Sequence, residues 1–537
     1  MNTASRFDWS AGYASRRSPL FARNIVSTSH PLAAQAGLRM LQAGGNAVDA
    51  AIATAACMTL VEPCSNGLGS DAFCILWDGQ QLHGLNASGP APAAWSPECF
   101  DGPSMPRRGW GAVTVPGAVG GWTALNERFG KLPFADLMAP AIEIAQRGYA
   151  VPPIVQGKWA MAAALPEITS QPGFAQAFLP HGRAPAVGER FSFPDAARSL
   201  KLIAETRGEA FYRGEIAAAL ARFARDTGGA MTEADLAAYR PEWVTPLAQD
   251  FAGHTLHEIP PNGQGIAAQM ALGLLSHCRL TDHAVDSPEA QHLMIEAMKL
   301  AFADVYRYVA EPAAMAVTPG ELLDPGYLAE RARLIDPARA QVFGAGHPIK
   351  GGTIYLTAAD ERGMMVSFIQ SNYMGFGSGL VLPGYGVSLQ NRGHGFTLEA
   401  GHPNQVAPGK RPFHTIIPGF LTKGGQPVMS FGVMGGNMQP QGHLQTLVRM
   451  LCYGQNPQAA CDAPRWRFNE GLSINIEPHM PAATIEGLRA RGHQIGDIHD
   501  SYQDFGAGQF IWRLGDPASE GYVAASDPRR DGAAVGY

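Results

Sequence analysis

The residues with the most chemical content are Gly351, Gly352 and Thr353, in the run His347-Pro348-Ile349-Lys350-Gly351-Gly352-Thr353-Ile354-Tyr355-Leu356. Cleavage of the Gly352–Thr353 bond would leave Thr353 with a free α-amine beside its own hydroxyl. That amine can take the hydroxyl proton, so one residue would supply both nucleophile and base. A free α-amine has a pKa near ~8, so a useful fraction of it is neutral and basic near neutral pH. The flanking glycines suit such a step, because the backbone must bend sharply for a hydroxyl to attack the preceding carbonyl. An ordinary loop entering a hairpin would read the same way locally: a strand-like run 353–357, the turn Asp360-Glu361-Arg362-Gly363, then a strand-like run 364–371. A second candidate is Val433-Met434-Gly435-Gly436-Asn437, a strand ending in two glycines ahead of an expected helix over 439–453. A helix start presents unpaired N–H groups and glycine lets a ligand approach closely, so this turn can be an oxyanion hole or a plain αL turn.

Several elements must position these groups. His30-Pro31 opens a helix to about residue 43, with a hydroxyl cap expected from Ser27-Thr28-Ser29, and Gly44-Gly45 stops it. Asn46 can cap the next helix, about 47–60, whose apolar and small residues predict burial. A glycine-rich turn over 66–71 leads into strand-like runs at 72–77 and 81–85, and 113–122 reads as a strand-to-turn passage. From 125 to about 342 the pattern is mainly helical, with helices expected at 134–146, 196–206, 215–225, 265–275 and 288–309. Residues from about 338 to 352 lack periodicity and read as a mobile linker, the best boundary in the chain. Beyond it strands predominate, with a Gly/Pro-rich loop over 391–412 expected as a rim or short lid.

Composition narrows the class. A chain of 537 residues, 46% hydrophobic and 16% charged, with 63 Gly and 41 Pro, can build a large core with many turns. A net charge of -6 offers no basic face for nucleic acid or anionic lipid. No apolar run is long enough to span a bilayer, and the N-terminal stretch has no apolar core or small-residue cleavage site. The seven cysteines form no C-x-x-C pair and no H-E-x-x-H is present, so reduced, buried thiols in a cytoplasmic protein are expected. Gly377-Ser378-Gly379 lacks the G-x-S-x-G spacing of a serine elbow, and Gly67-Leu68-Gly69-Ser70 lacks a nucleotide-binding fingerprint. No metal or organic cofactor is implied.

Taken together, the segments resemble the γ-glutamyltranspeptidase family of N-terminal nucleophile hydrolases over nearly the whole chain. The carriers are His30-Pro31-Leu32-Ala33 with Gly44 to Ala51, Gly351-Gly352-Thr353, Lys410-Arg411-Pro412, Gly435-Gly436, and the closing Ala525-Ser526-Asp527-Pro528-Arg529 with Gly536-Tyr537. The resemblance implies an α+β fold, a four-layer αββα sandwich, made by an autoprocessed precursor. A large subunit would comprise residues 1–352 and a small subunit 353–537, paired as a heterodimer or as a dimer of such heterodimers. Thr353 would be the nucleophile, Ser371 the hydroxyl that holds its new α-amine, and Gly435 and Gly436 the oxyanion-hole donors.

The departures bear on substrate. Where the family has an arginine for the substrate's α-carboxylate, this chain has Ser88, before Gly89-Pro90-Ala91-Pro92. The family's paired serines read His414-Thr415, and its acidic pair for the substrate's α-amine reads His394-Gly395. Arg392 lies nearby in the sequence, and Tyr373 falls in the segment 371–379, which is similar to a non-classical branch of the family. Ser88, Tyr373, Arg392, His394, His414 and Thr415 are therefore the candidate substrate contacts. Loss of an amine clamp beside remaining cationic groups implies a small carboxylate-bearing amide without a free α-amine, oxamate first, hydrolysed to oxalate and ammonia in purine breakdown. A glutathione hydrolase or γ-glutamyltransferase, a glutaryl-cephalosporin acylase, and a non-catalytic scaffold on the same fold are the alternatives.

Overall fold

The computed structural model describes residues 8–9, 17–343, 352–498 and 505–537. Two seven-stranded antiparallel sheets face each other. The first runs, in spatial order, Leu20–Ala22, Tyr522–Ser526, Gly508–Arg513, Gln426–Val433, Gly419–Lys423, His254–Glu258 and Leu247–Phe251. The second runs Ala533–Gly536, Ile25–Thr28, Gly352–Ala359, Met365–Tyr373, Asp71–Trp77, Leu82–Ala87 and Glu242–Val244. Both sheets combine strands from before and after residue 353.

Side-chain alternation assigns each face of the second sheet. Ile354, Leu356, Ala358, Val366 and Phe368 join a core with the helices Pro31–Gln42, Ala47–Val61 and Phe134–Arg147. Tyr355, Ala359, Met365 and Ile369 join Phe420 and Ile511 of the facing sheet. A third core packs the helices Ile266–Leu275, Pro288–Tyr308 and Met438–Leu451 on the outside of the first sheet. The result is the four-layer αββα sandwich. With a period of two, Thr353 shares its face with Tyr355 and Ser371 shares its face with Ile369, so both point into the space between the sheets.

The helix Ala47–Val61 is buried along its entire length, and Asn46 with Asp49 forms a capping box at its start. The first helix is capped differently from expectation: His30, not a hydroxyl, accepts from the Leu32 N–H. Residues 113–122 are not a strand entry. A helix spans Ala118–Phe129, and its interior glycines allow close approach, since a Cβ on Gly121 would lie 2.9 Å from that of Ala87. The stretch expected to be mainly helical also holds the strands Glu242–Val244, Leu247–Phe251 and His254–Glu258. The proposed linker lies largely outside the described residues. Among the described residues, no helix is long and apolar enough to cross a membrane.

Candidate active site

Thr353 lies near the start of the strand Gly352–Ala359, at a bulge between Gly352 and Ile354 in its pairing with Met365–Tyr373. The extra residue lies on the partner strand, since the two steps from Gly352 to Ile354 face three from Tyr373 to Gln370. The Thr353 hydroxyl, 1% exposed, donates to Ser371 Oγ at 3.3 Å and accepts from Gln439 Nε2 at 3.3 Å. Ser371 Oγ in turn accepts from the Tyr373 N–H at 2.7 Å. Gln439 is held in one orientation because its Oε1 accepts the Ile417 N–H at 2.9 Å. The Thr353 carbonyl accepts from Arg530 Nη2 at 3.3 Å, and Arg530 Nη1 is anchored on buried Glu62 at 2.7 Å.

The first sheet supplies the opposite wall. Its strand Gln426–Val433 runs into Gly435 and Gly436, with φ of 121° and 62°, before the helix Met438–Leu451. Only glycine adopts the first of these angles readily. Neither glycine N–H donates a hydrogen bond to a described residue, whereas their carbonyls accept the Met438 and Gln439 N–H groups. Two unengaged N–H groups at a helix start are suited to a developing oxyanion. Gln264 fixes this turn from behind, since its Nε2 donates to the carbonyls of Gly436 at 3.0 Å and Thr415 at 2.6 Å.

Arg392 provides a second buried guanidinium, in addition to that of Arg530. It lies in a short 3-10 turn, Arg392–Gly395, so this part of the 391–412 loop is buried rather than an exposed rim. The guanidinium is 1% exposed and sits 4.7 Å over the Tyr373 ring. Its Nη1 donates to Thr415 Oγ1 at 2.7 Å, while Nε and Nη2 have no partner among the described residues. Burial lowers its pKa to about 10, against the pull of Asp71 and Tyr373. A buried cation with two free donors in a planar fork matches a carboxylate.

Asp71 pairs on the same strand end as Ser371. Its carboxylate accepts from Gly117 at 3.0 Å and from His414 Nε2 at 3.2 Å. Burial pushes the carboxyl up to about 7, with Arg392 opposing the rise. Burial, followed by Arg392, holds the His414 pKa well below its ordinary value. Because His414 Nδ1 accepts from the Ile416 N–H, its proton resides on Nε2, facing Asp71.

The remaining candidates hydrogen-bond to groups outside the Thr353 network. Ser88 donates to Asn86 Oδ1 at 2.7 Å and is bonded by Asn262, so its hydroxyl is engaged within a side-chain cluster. His394 faces the Met105 carbonyl through Nδ1 at 2.9 Å and the Tyr373 ring at 6.3 Å between centroids. Thr353, Ser371, Tyr373, Arg392, Thr415 and the two glycines are thus linked by short steps, with His414 behind Asp71 and with Ser88 and His394 at the margins. Gln439, Gln264, Asp71 and Arg530 were not singled out from sequence. Gln439 had a signal, being the first glutamine after the Gly-Gly turn; the other three depend on contacts between distant segments.

The sequence matches the gamma-glutamyltranspeptidase family over residues 33–537. The chain belongs to that family. It is therefore a hydrolase of amide bonds with an N-terminal nucleophile hydrolase fold. Among relatives of this gamma-glutamyltranspeptidase family member, the glutathione hydrolase-like YwrD proenzyme of Bacillus subtilis is 35% identical over 531 residues, covering 97% of this chain and 99% of the relative. The oxamate amidohydrolase proenzyme of Klebsiella pneumoniae is 35% identical over 522 residues, covering 95% and 97%. The crystal structure of cephalosporin acylase from Bacillus halodurans superposes with a TM-score of 0.93 at 46% identity, covering 99% of each chain.

Proposed function

We propose that the protein is a self-cleaving threonine amidohydrolase for monoamides of dicarboxylic acids, with oxamate as the substrate of first choice. The carrying observation is Arg392, a buried guanidinium with two unpartnered donors close to the nucleophile's network. In processing, Thr353 Oγ attacks the Gly352 carbonyl, the peptide C–N bond breaks, and an ester links the two segments. That C–N cleavage frees the Thr353 α-amine, and water then hydrolyses the ester to release the Gly352 carboxylate and the Thr353 hydroxyl. The products are a large subunit, 1–352, and a small subunit, 353–537. They remain paired, because each sheet contains strands of both.

In turnover the α-amine takes the Thr353 hydroxyl proton while Oγ attacks the substrate amide. The Gly435 and Gly436 N–H groups hold the resulting oxyanion, and the ammonium returns the proton to the departing amine. Water hydrolyses the threonyl ester. Ser371 orients Thr353, Gln439 holds its Oγ1, and Arg392 with Thr415 binds the carboxylate at the far end of the acyl group. Oxamate is favoured because Arg392 connects to Thr353 through Tyr373 and Ser371. Arg392 lies over Tyr373, two residues beyond Ser371, which bonds Thr353. A glutaryl amide is the second reading, supported by the 46% identity to a cephalosporin acylase structure.

Intact mass of the purified protein followed by amine release from oxamate, malonamate, succinamate, glutaramate and glutathione tests the proposal. Two fragments divided at residue 353 with oxamate preferred are expected. Preference for glutaramate would move the assignment to the acylase reading, preference for glutathione would overturn the carboxylate-only pocket, and one uncut inactive chain would overturn the mechanism.

A further inference from the structure

The helix Pro288–Tyr308 carries a second cluster of ligating groups that the amidase chemistry does not use. His292, Glu296 and His493 each offer one ligand atom, all within 4.8 Å of one another, and all three residues are buried. His292 and Glu296 are one turn apart on the same helix face. His493 comes from the segment between the helix Ala482–Ala490 and the strand Gln494–Ile498.

The His292 tautomer is fixed by a surrounding bond, whereas on His493 the hydrogen must move from Nε2 to Nδ1 for Nε2 to ligate. His292 Nε2 faces the Asp336 carbonyl at 2.8 Å, so that nitrogen carries the hydrogen and Nδ1 keeps its lone pair. This backbone hydrogen bond is the support that orients a ligating histidine. His292 Nδ1 lies 2.8 Å from His493 Nε2, and His493 Nδ1 is buried without a partner among the described residues. Hydrogen bonds within the protein therefore leave the histidine pair incompletely satisfied. Two nitrogens on a tetrahedral zinc sit about 3.3 Å apart at ordinary zinc–nitrogen lengths, so the rings need part by only about half an ångström.

We propose that His292, Glu296 and His493 bind a divalent transition ion, zinc by ligand chemistry, with a fourth position for water. Two imidazoles and one carboxylate form a zinc set rather than a calcium or magnesium set. One competitor is visible: Lys299 Nζ lies 2.6 Å from Glu296 Oε1, and the other carboxylate oxygen accepts the Gln341 N–H at 3.0 Å. An ion must displace that ammonium, which also lies 5.6 Å from the Phe343 ring. Lys299 therefore sets the affinity. The ligands straddle residue 353, so the ion would pin the end of the first segment, Asp336 to Phe343, and the helix beneath it to the second. Linking two separate chains in this way rests on the cleavage proposed above; ion binding itself does not.

Zinc titration of the EDTA-treated full-length protein, followed by calorimetry and checked by elemental analysis, tests the site. One equivalent is expected to bind, in wild type and in uncleaved Thr353→Ala alike. His292→Ala and His493→Ala should each weaken binding by more than about 100-fold, beyond the usual cost of losing a supporting residue. Lys299→Met should tighten it at least about tenfold, because an ammonium within hydrogen-bond distance opposes the ion. Glu296→Gln, which keeps the side-chain shape, serves if a histidine variant fails to fold and should also lose zinc. Absence of saturable binding, or zinc binding unchanged in His493→Ala or Glu296→Gln, would overturn the site. Unchanged affinity in Lys299→Met would overturn Glu296 as the third ligand.

Discussion

Replacing Arg392 with methionine isolates the proposed carboxylate contact. Methionine keeps much of the buried volume over Tyr373 and removes the charge and all five donors. The fold should tolerate this. Arg392 lowers the Asp71 pKa, so its loss raises that carboxyl above about 7 and leaves Asp71 neutral rather than stranded as a buried anion. Thr415 loses one donor at 2.7 Å and keeps its own hydroxyl hydrogen. On the substrate side, a hydrogen bond to a charged group is worth roughly 1.5–3 kcal/mol. At 1.4 kcal/mol per factor of ten, kcat/KM for oxamate should fall about 10- to 150-fold. The carboxylate is held alike in ground and transition states, so the loss should appear as a raised KM with kcat nearly unchanged. A neutral amide of similar size, such as glycolamide, should be hydrolysed no worse than by wild type. Arg392→Lys should lie between the two, because a point charge replaces the fork. Steady-state ammonia release on cleaved protein reads all of these. An oxamate kcat/KM within about twofold of wild type, or an equal loss for glycolamide, would refute the assignment of Arg392 to the carboxylate.

Other variants examine the remaining parts. Thr353→Ala should give one uncut chain without amidase activity, read by intact mass and amine release; cutting before residue 353 in that variant would remove Thr353 as nucleophile. Gln439→Leu removes one neutral donor on Thr353 Oγ1 at 3.3 Å and should lower kcat about 2- to 13-fold, from a net contribution of roughly 0.5–1.5 kcal/mol. Asp71 gives a pH signature. Its folded pKa is about 7, above the ordinary carboxylate value, so the folded state holds an extra proton between about 4 and 7 and its contribution to stability falls as pH rises through that window. Below about 7 neutral Asp71 leaves the Arg392 charge uncompensated, so KM for an anionic substrate should rise as pH increases through 7. Asp71→Asn should flatten that rise, and a wild-type KM independent of pH from 6 to 8 would show that Asp71 does not influence the anion site.

The local frame around Thr353 and Gly435-Gly436 was readable because local sequence carries it. Gly-Gly-Thr marks a bend ahead of a strand, and a strand running into Gly435-Gly436 before a helix marks unpaired donors. The helix Ala47–Val61 was readable because it is almost wholly apolar or small and Asn46 caps it. The strands Leu247–Phe251 and His254–Glu258 were not, because they lie at or next to a sheet edge with polar Gln249, Asp250, His254 and His257 among their residues, which blurs the alternation. Ser88 was expected to replace the family's arginine, but its hydroxyl is committed to Asn86, two residues before it. Asp71 was read as the end of a glycine-rich turn; only folding sets it beside His414, 343 positions away.

This separation explains how one scaffold can keep its reaction while changing its substrate. A γ-glutamyl group differs from a glutaryl group only by an α-amine, so a pocket loses the need for an acidic clamp once that amine is absent. In this chain the acidic pair reads His394-Gly395, and His394 is turned to a backbone carbonyl. The acid nearest the cation is Asp71, whose charge is suppressed by burial. What remains to meet a substrate is a guanidinium with free Nε and Nη2, one tyrosine ring away from the strand end that bears Ser371. An amine brought into such a pocket would face Arg392 without a fully ionised partner, at a cost that a plain dicarboxylic monoamide does not incur. On the proposed reading, discrimination against glutathione would follow from repulsion of its α-ammonium as much as from attraction of a carboxylate, and placing an acid at His394 should narrow the gap between glutaramate and glutathione turnover.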